Sequence, residues 1–282
     1  MMQIGLRRIK MIRQIVGFVA IFLLLVLVLF PIFWMFMSSV TPDREQFRAP
    51  FTWLPSKVTF RAFAYVIGDA HARIGFFNSY VIGLGTAAIS TLLAALAAYG
   101  FARFKSRINR MFLLYALVTQ IFPWVLLVIP YFMIMQEVGL FDTHASLIIS
   151  YCAFSLPFSL WMLRNYFETV PEVLDESAMI DGCSRIGAFT RIILPLASPA
   201  ILATAVFSFL LAWNNFLFAL VLSNTINSMP ITVWIARQLG EFSTRWNNIM
   251  AVAIIQSWPL MIIFVLFQKY IVSGLTAGAI KG

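Results

Sequence analysis

Six stretches of the chain hold no Asp, Glu, Lys or Arg: 14–42, 74–102, 111–136, 143–163, 192–236 and 246–268. Each accommodates the roughly 20 apolar residues of a membrane-crossing helix. The pattern predicts six spans, near 15–39, 76–100, 111–135, 145–163, 197–222 and 249–270. The fifth gap is longer than one helix, but Asn224–Pro230 (NTINSMP) is polar and turn-like, so that gap holds one span and part of a loop. Polar segments flank the spans, and the longest after the first lie at about 169–195 and 223–248. The expected fold is an all-α membrane protein, one transmembrane domain over residues 1–282.

Composition agrees with this pattern. The chain is 61% hydrophobic and 11% charged, with mean hydropathy +0.90, whereas about a quarter of the residues in soluble domains are charged. A soluble helical protein of this composition would lack the surface charge that keeps such proteins dispersed. The opening RRIKMIR and apolar run look like a secretory signal, but the run exceeds the usual 7–15 residue core. PIFWMFMSS, which follows, is too bulky for cleavage. The first span is therefore expected to remain as an anchor.

Basic residues set the expected orientation. Arg7, Arg8, Lys10 and Arg13 precede span one, and Arg103, Lys105, Arg107 and Arg110 follow span two, while the loop after span three has no Lys or Arg. By the positive-inside rule both termini and the loops after spans two and four face the cytoplasm. The net charge of +9 then lies largely beside anionic lipid, and it is not read as a nucleic-acid footprint.

The segment 169–195 is the chain's main charged interruption on that side. Thr169-Val-Pro-Glu172 has capping-box spacing and predicts a short helix running to Ile180. Asp181-Gly182 breaks it, since Gly182 can take the left-handed conformation, and Ser184 can cap a second helix with Ile186, Phe189 and Ile193 on one side. Pro195 stops or kinks that helix. A hairpin lying on the membrane would be basic on its polar face. This one sets Glu172, Asp175, Glu176 and Asp181 against Arg185 and Arg191, which favours a protein partner.

Other candidates are sparse. The polar intramembrane residues Gln120, Asn214, Asn215 and Gln256 are neutral, and serve as interhelical hydrogen-bonding groups or as lining for a pathway. Pro123, Pro130, Pro157 and Pro259 are placed to bend spans. His71, His144, Cys152 and Cys183 have no metal-ligand or catalytic spacing. No Gly-Lys pair exists, hence no phosphate-binding loop for ATP. A secondary transporter or channel is the alternative class, although carriers driven by ions usually bury ionisable groups. An intramembrane enzyme would need a nucleophile and base, a metal set or paired acids. The external segment 223–248 carries Trp234, Arg237, Glu241, Arg245 and Trp246, suited to a protein surface or to an interfacial helix.

Glu176-Ser177-Ala178-x-x-Asp181-Gly182, followed after nine residues by Ile192-x-Leu194-Pro195, resembles the EAA loop of membrane subunits of binding-protein-dependent ABC importers. Asn78-Ser79, Ala98-Tyr99-Gly100-Phe101-Ala102-Arg103, Trp213-Asn214-Asn215 and the tail from Gly274 to Gly282 extend the resemblance to the carbohydrate-uptake, MalG-like branch. The resemblance implies a type I importer permease fold in a prokaryotic cytoplasmic (inner) membrane. It also implies partners: a second, MalF-like permease subunit, two ATPase subunits that bind ATP and Mg, and an extracytoplasmic solute-binding protein. The chain itself is expected to bind no cofactor or metal and to perform no catalysis. Implied ATPase-coupling residues are Glu176, Ser177, Ala178, Asp181, Gly182, Ile192, Leu194 and Pro195. The tail 273–282, with Leu275, Thr276, Gly278 and Lys281, is implied to reach the ATPases. Trp234, Arg237, Glu241 and Arg245 are implied to meet the binding protein. The cargo would be a sugar or oligosaccharide, with a glycerol phosphodiester as the non-sugar alternative.

Overall fold

The structure, a computed structural model, describes residues 2–47, 53–104, 106–239 and 244–276, with side chains for 10–47, 53–104, 106–239 and 244–269. The described elements are helical, without strands. They run α1 (Met2–Val40), α2 (Arg61–Gly68), α3 (Ala70–Arg103), α4 (Arg107–Thr119), a 3₁₀ turn (Trp124–Leu127), α5 (Val128–Glu137) and α6 (His144–Thr169). Then come α7 (Val173–Ile180), α8 (Arg185–Ala188), a π turn (Phe189–Ile193), α9 (Leu194–Leu196), α10 (Ser198–Asn214), α11 (Leu217–Leu222), α12 (Ile231–Arg237) and α13 (Trp246–Thr276).

Four of the expected spans are single helices, within α1, α3, α6 and α13. The other two are broken. Residues 107–119 and 124–137 meet at 91°, because Pro123 has no N–H to continue the ladder and Gln120 and Ile121 close the end of α4 with bonds to Leu117 and Val118. The expected span 197–222 divides into α10 and α11 at Asn215-Phe216, and the segment 185–196 enters α10 at 78°. By contrast Pro157 and Pro259 lie inside continuous helices, and Pro130 sits in the first turn of α5, where its missing donor costs little. α13 continues to Thr276, so Leu275 and Thr276, which the sequence places in the tail 273–282, belong to its last turn. Gly278 and Lys281 lie outside the described residues.

Two compact units are present, 1–68 with 238–255, and 69–237 with 256–282. In the first, α1 is exposed over residues 10–33 apart from Gly17, with Phe18 and Leu27 more than 70% accessible. A helix segment apolar all round suits lipid.

The second unit is organised on α3. Its buried stripe is Ala72, Gly75, Ser79, Gly83, Thr86, Ser90, Ala94 and Ala98, stepping by three or four residues down one face. Small side chains let backbones approach where lipid supplies no hydrophobic drive, and α3 packs along α6 and α10. The fit has no slack at Gly83, where a Cβ would stand 2.8 Å from the Phe209 ring. Hydroxyl pairs bind the same faces: Ser90 with Ser155 at 2.6 Å and Ser159 with Ser208 at 3.2 Å, each contributing about 0.6 kcal/mol.

Candidate functional site

The charged hairpin forms at one end of α3. α7 ends at Ile180, Gly182 adopts φ +87°, and Cys183 N–H donates to Ala178 O at 2.9 Å, closing a left-handed helix stop. The Ser184 hydroxyl then caps α8 by accepting from Gly187 N–H at 3.1 Å. The predicted capping box at the hairpin's start does not form. Thr169 ends α6 and its hydroxyl turns back to Tyr166 O, so α7 starts from Glu172 without a side-chain cap.

The hairpin is held to the body by one acid. Asp175, 3% exposed, accepts from the Tyr99 hydroxyl at 2.6 Å and from Arg103 Nε at 2.6 Å. Arg103 also donates to Phe167 O at 3.2 Å. Its Nη2 is buried without a partner among the described residues. Around this node Tyr99, Phe167, Phe189 and Ile193 close an apolar cluster with Ala94, Ala98 and Ala200. Burial in such surroundings strengthens each charge-assisted bond.

This packing sorts the expected coupling residues. Glu176, Ser177, Asp181, Gly182 and Pro195 are exposed, and the tip adds Ile180, 85% exposed, and Ile186, 75% exposed. Ala178 is buried, while Ile192 and Leu194 pack on the cluster. These three hold the hairpin and are not on its outer face. Ile186, 75% exposed, departs from the buried face it was expected to share with Phe189 and Ile193. Arg185 stacks over Phe104 at 5.0 Å.

A second polar node lies toward the other end of α3. The Asn78 amide donates to Ile226 O at 2.8 Å and Met229 O at 2.9 Å, and its Oδ1 receives His144 Nε2 at 2.9 Å. The Ser79 hydroxyl accepts from Ile231 N–H at 3.0 Å. Asp142, with φ +61°, accepts from the N–H groups of Asn224 and Thr225 at 2.7 and 2.9 Å and from the Ser228 hydroxyl. Partial burial pushes the Asp142 carboxyl up, but these bonds outweigh it and hold the group below the usual carboxylate range. His144, expected to be isolated, is therefore part of the clamp on residues 224–231. Trp234 is 4% exposed, anchoring α12, so it is unavailable as a surface contact. Arg237 and Arg245 are exposed, and Glu241 lies outside the described residues.

The breaks in the two spans create space between them. A cavity of about 390 Å³ is lined by Gln120, Trp124, Tyr131 and Phe154, and one of about 210 Å³ by Trp124, Asn214, Asn215 and Phe218. The rings of Trp124, Tyr131 and Phe218 each meet Phe154 within 5.7 Å. Gln120 donates to Phe154 O at 3.0 Å, a bond between helices. Asn214 instead bonds its own helix at Leu210 O, and Asn215 caps α11 by accepting from Phe218 N–H, so neither side chain bridges two spans. Gln256 takes part through its backbone oxygen, which accepts from Trp213 Nε1 at 3.3 Å.

The sequence reading missed Asp175 as the brace. An acid beside Leu174 and Ala178, on the inward side of a short helix in a charge-poor chain, together with an arginine ending a span, was the available signal.

Residues 90–277 match the family described as binding-protein-dependent transport system inner membrane component. The chain is 36% identical over 276 residues to the trehalose/maltose transport system permease protein MalG of Thermococcus litoralis, covering 97% of this chain and 99% of that one. It is 35% identical to the sulfoquinovosyl glycerol transport system permease protein SmoH of Agrobacterium fabrum, over 94% and 93% of the two chains. It is 36% identical to the trehalose transport system permease protein SugB of Mycobacterium tuberculosis, over 90% and 93%. Among solved structures, a chain of a bacterial ABC transporter involved in the import of the acidic polysaccharide alginate superposes with a TM-score of 0.80. That match has 22% identity and covers 92% of this chain and 96% of the other.

Proposed function

This chain belongs to the family of binding-protein-dependent transport system inner membrane components, and from that we propose that it forms, with a second permease, the carbohydrate pathway of an ATP-driven importer. The observation that carries the reading is the hairpin. It is a helix stop at positive φ, exposing Glu176, Asp181 and two isoleucines outward while Asp175 ties its inner face to α3. A braced element with an exposed charged and apolar tip suits docking to a cytosolic ATPase, which would supply the ATP and Mg chemistry. Closure of an ATPase pair would pull the hairpin, and rigid helices would turn the pathway from one face to the other.

Carbohydrate cargo is supported by the sugars named for the relatives and by the chemistry at the breaks. The flat rings of Trp124 and Tyr131 suit the C–H face of a pyranose, and Gln120 and Asn214 offer amides to hydroxyls. Discontinuous helices recur at transporter binding sites. The clamped loop 224–231 and exposed Arg237 are assigned to the side that receives the solute-binding protein. The segment after Thr276, with Gly278 and Lys281, is assigned to the ATPases.

The test is purification from native membranes and reconstitution with whatever accompanies the chain. A second permease and an ATPase should copurify, and ATP-driven uptake should select one sugar from a panel that includes glycerol phosphodiesters. Trp124→Ala should lower uptake at least tenfold with the assembly intact, and loss of residues 277–282 should lower uptake and stimulated hydrolysis together. Uptake by the isolated chain without ATP would support a secondary transporter and sink the reading.

A further inference from the structure

A cavity of about 560 Å³ opens where the end of α3, the start of α4 and the end of α6 converge. Arg107, Arg110 and Arg164 line its polar side, and Phe101, Leu113 and Leu114 its apolar side. Its origin is in the packing of α4, whose one buried residue is Leu113. The helix leans on its neighbours there and stands away at its first turn.

The local polar groups are already used. The Ser106 hydroxyl caps α4 by accepting from Asn109 N–H at 3.0 Å, and the Asn109 amide donates to Phe104 O. Arg164 shares its charge with Glu168 at 2.5 Å. Arg107 and Arg110, both exposed, have no carboxylate among the described residues within ion-pair distance, and no acid lines the cavity. Beside it the surface turns apolar: Phe104, Ile108, Met111, Phe112 and Tyr115 are each more than half exposed.

Two uncompensated guanidiniums above an apolar wall that runs onto a membrane helix describe an amphiphile's binding site. We propose that this cavity holds the headgroup of an anionic phospholipid, its phosphate between Arg107 and Arg110 and its chain along Leu113 and Leu114. Guanidinium is the preferred partner of phosphate oxygens. A soluble anion would gain nothing from Phe101, Leu113 and Leu114, whereas an acyl chain would. The cavity lies at the same end of α3 as the hairpin, since Arg103 bonds Asp175 there. The inference rests on the reading that this end is cytoplasmic, where basic residues meet anionic lipid.

The experiment uses the full-length chain with its copurifying partners in nanodiscs of mixed phosphatidylglycerol and phosphatidylcholine, with retained lipid counted by native mass spectrometry. The wild type should retain phosphatidylglycerol preferentially. Arg107→Gln with Arg110→Gln should cut that preference about 25-fold, at about fivefold per basic residue near an anionic surface. Arg107→Lys with Arg110→Lys should keep most of it, which separates lost charge from lost fold. Equal retention by the wild type and the glutamine pair overturns the proposal, as does equal loss by the lysine and glutamine pairs. Loss of the ATPase from the glutamine pair with phosphatidylglycerol still bound would show that the arginines face a protein, and would overturn it too. Lipid counts are read whether or not an ATPase accompanies the chain, so a chain that keeps its lipid preference but brings down no ATPase refutes only the importer reading.

Discussion

Replacing Asp175 with alanine removes the acceptor for the Tyr99 hydroxyl and Arg103 Nε, both at 2.6 Å, and leaves a guanidinium side chain 4% exposed opposite a methyl group. Breaking one side of a buried ion pair costs about 3–5 kcal/mol, more than a neutral hydrogen bond because the remaining charge is uncompensated. At about 3 kcal/mol, local opening of the hairpin becomes about 150-fold more frequent. Tryptic cleavage after Arg185, in detergent and with reclosing faster than cutting, follows that open population. Tyr99→Phe keeps the ion pair and loses one bond to a charged acceptor, about 1.5 kcal/mol, so its cleavage should rise about tenfold. Asp175→Leu with Arg103→Met removes both charges together and should stay within about fivefold of wild type. An Asp175→Ala chain cut at the wild-type rate would refute the brace, as would a double replacement no more protected than the single one.

Gly182→Val forces a β-branched residue to φ +87°, a conformation that costs it about 1–2 kcal/mol or more; ATPase copurification should fall while membrane insertion continues, and unchanged copurification would remove Gly182 as the turn. Asp142→Asn should weaken the clamp on residues 224–231 by about 1 kcal/mol, read as faster cleavage after Arg237. The Asp142 carboxyl is held below its ordinary 3.8, so its contribution is complete above that value and is lost as pH falls through the folded one. The difference between wild type and variant should hold from pH 8 to about 5 and close only below, and a difference that shrinks between pH 8 and 6 would contradict the assignment.

The spans were legible because charge is excluded from lipid wherever it stands in the sequence, and the six uncharged gaps correspond to four single helices and two bent pairs. Gly182 and Ser184 were legible for a different reason: a left-handed stop and a hydroxyl cap act within three residues. Thr169 shows the limit of local rules, since its hydroxyl found a carbonyl in α6 behind it before any donor ahead. Pro123 announced a bend, but whether a helix bends or divides depends on what its neighbours cover, and nothing near Pro123 shows that. Asp175 and Trp234 were misread because burial is decided by partners far along the chain; Tyr99 is 76 residues from Asp175. Glu176 kept its place on the outer face because no described residue covers it.

Both nodes hang from one unbroken helix. Asn78 grips the loop 224–231, Tyr99 and Arg103 grip the hairpin, and the 21 residues from Asn78 to Tyr99 span about 30 Å at 1.5 Å per residue. α3 contains no proline over its 34 residues, and its inward face is filled with alanine, serine and glycine that leave no room to flex. Such an element behaves as a connecting rod: a tilt of about 10° at one clamp carries the other through about 5 Å. Any free energy that favours the tilt from the hairpin end must favour it equally from the loop end, so a protein seated on the loop 224–231 and one seated on the hairpin would each sense the other without exchanging a single contact.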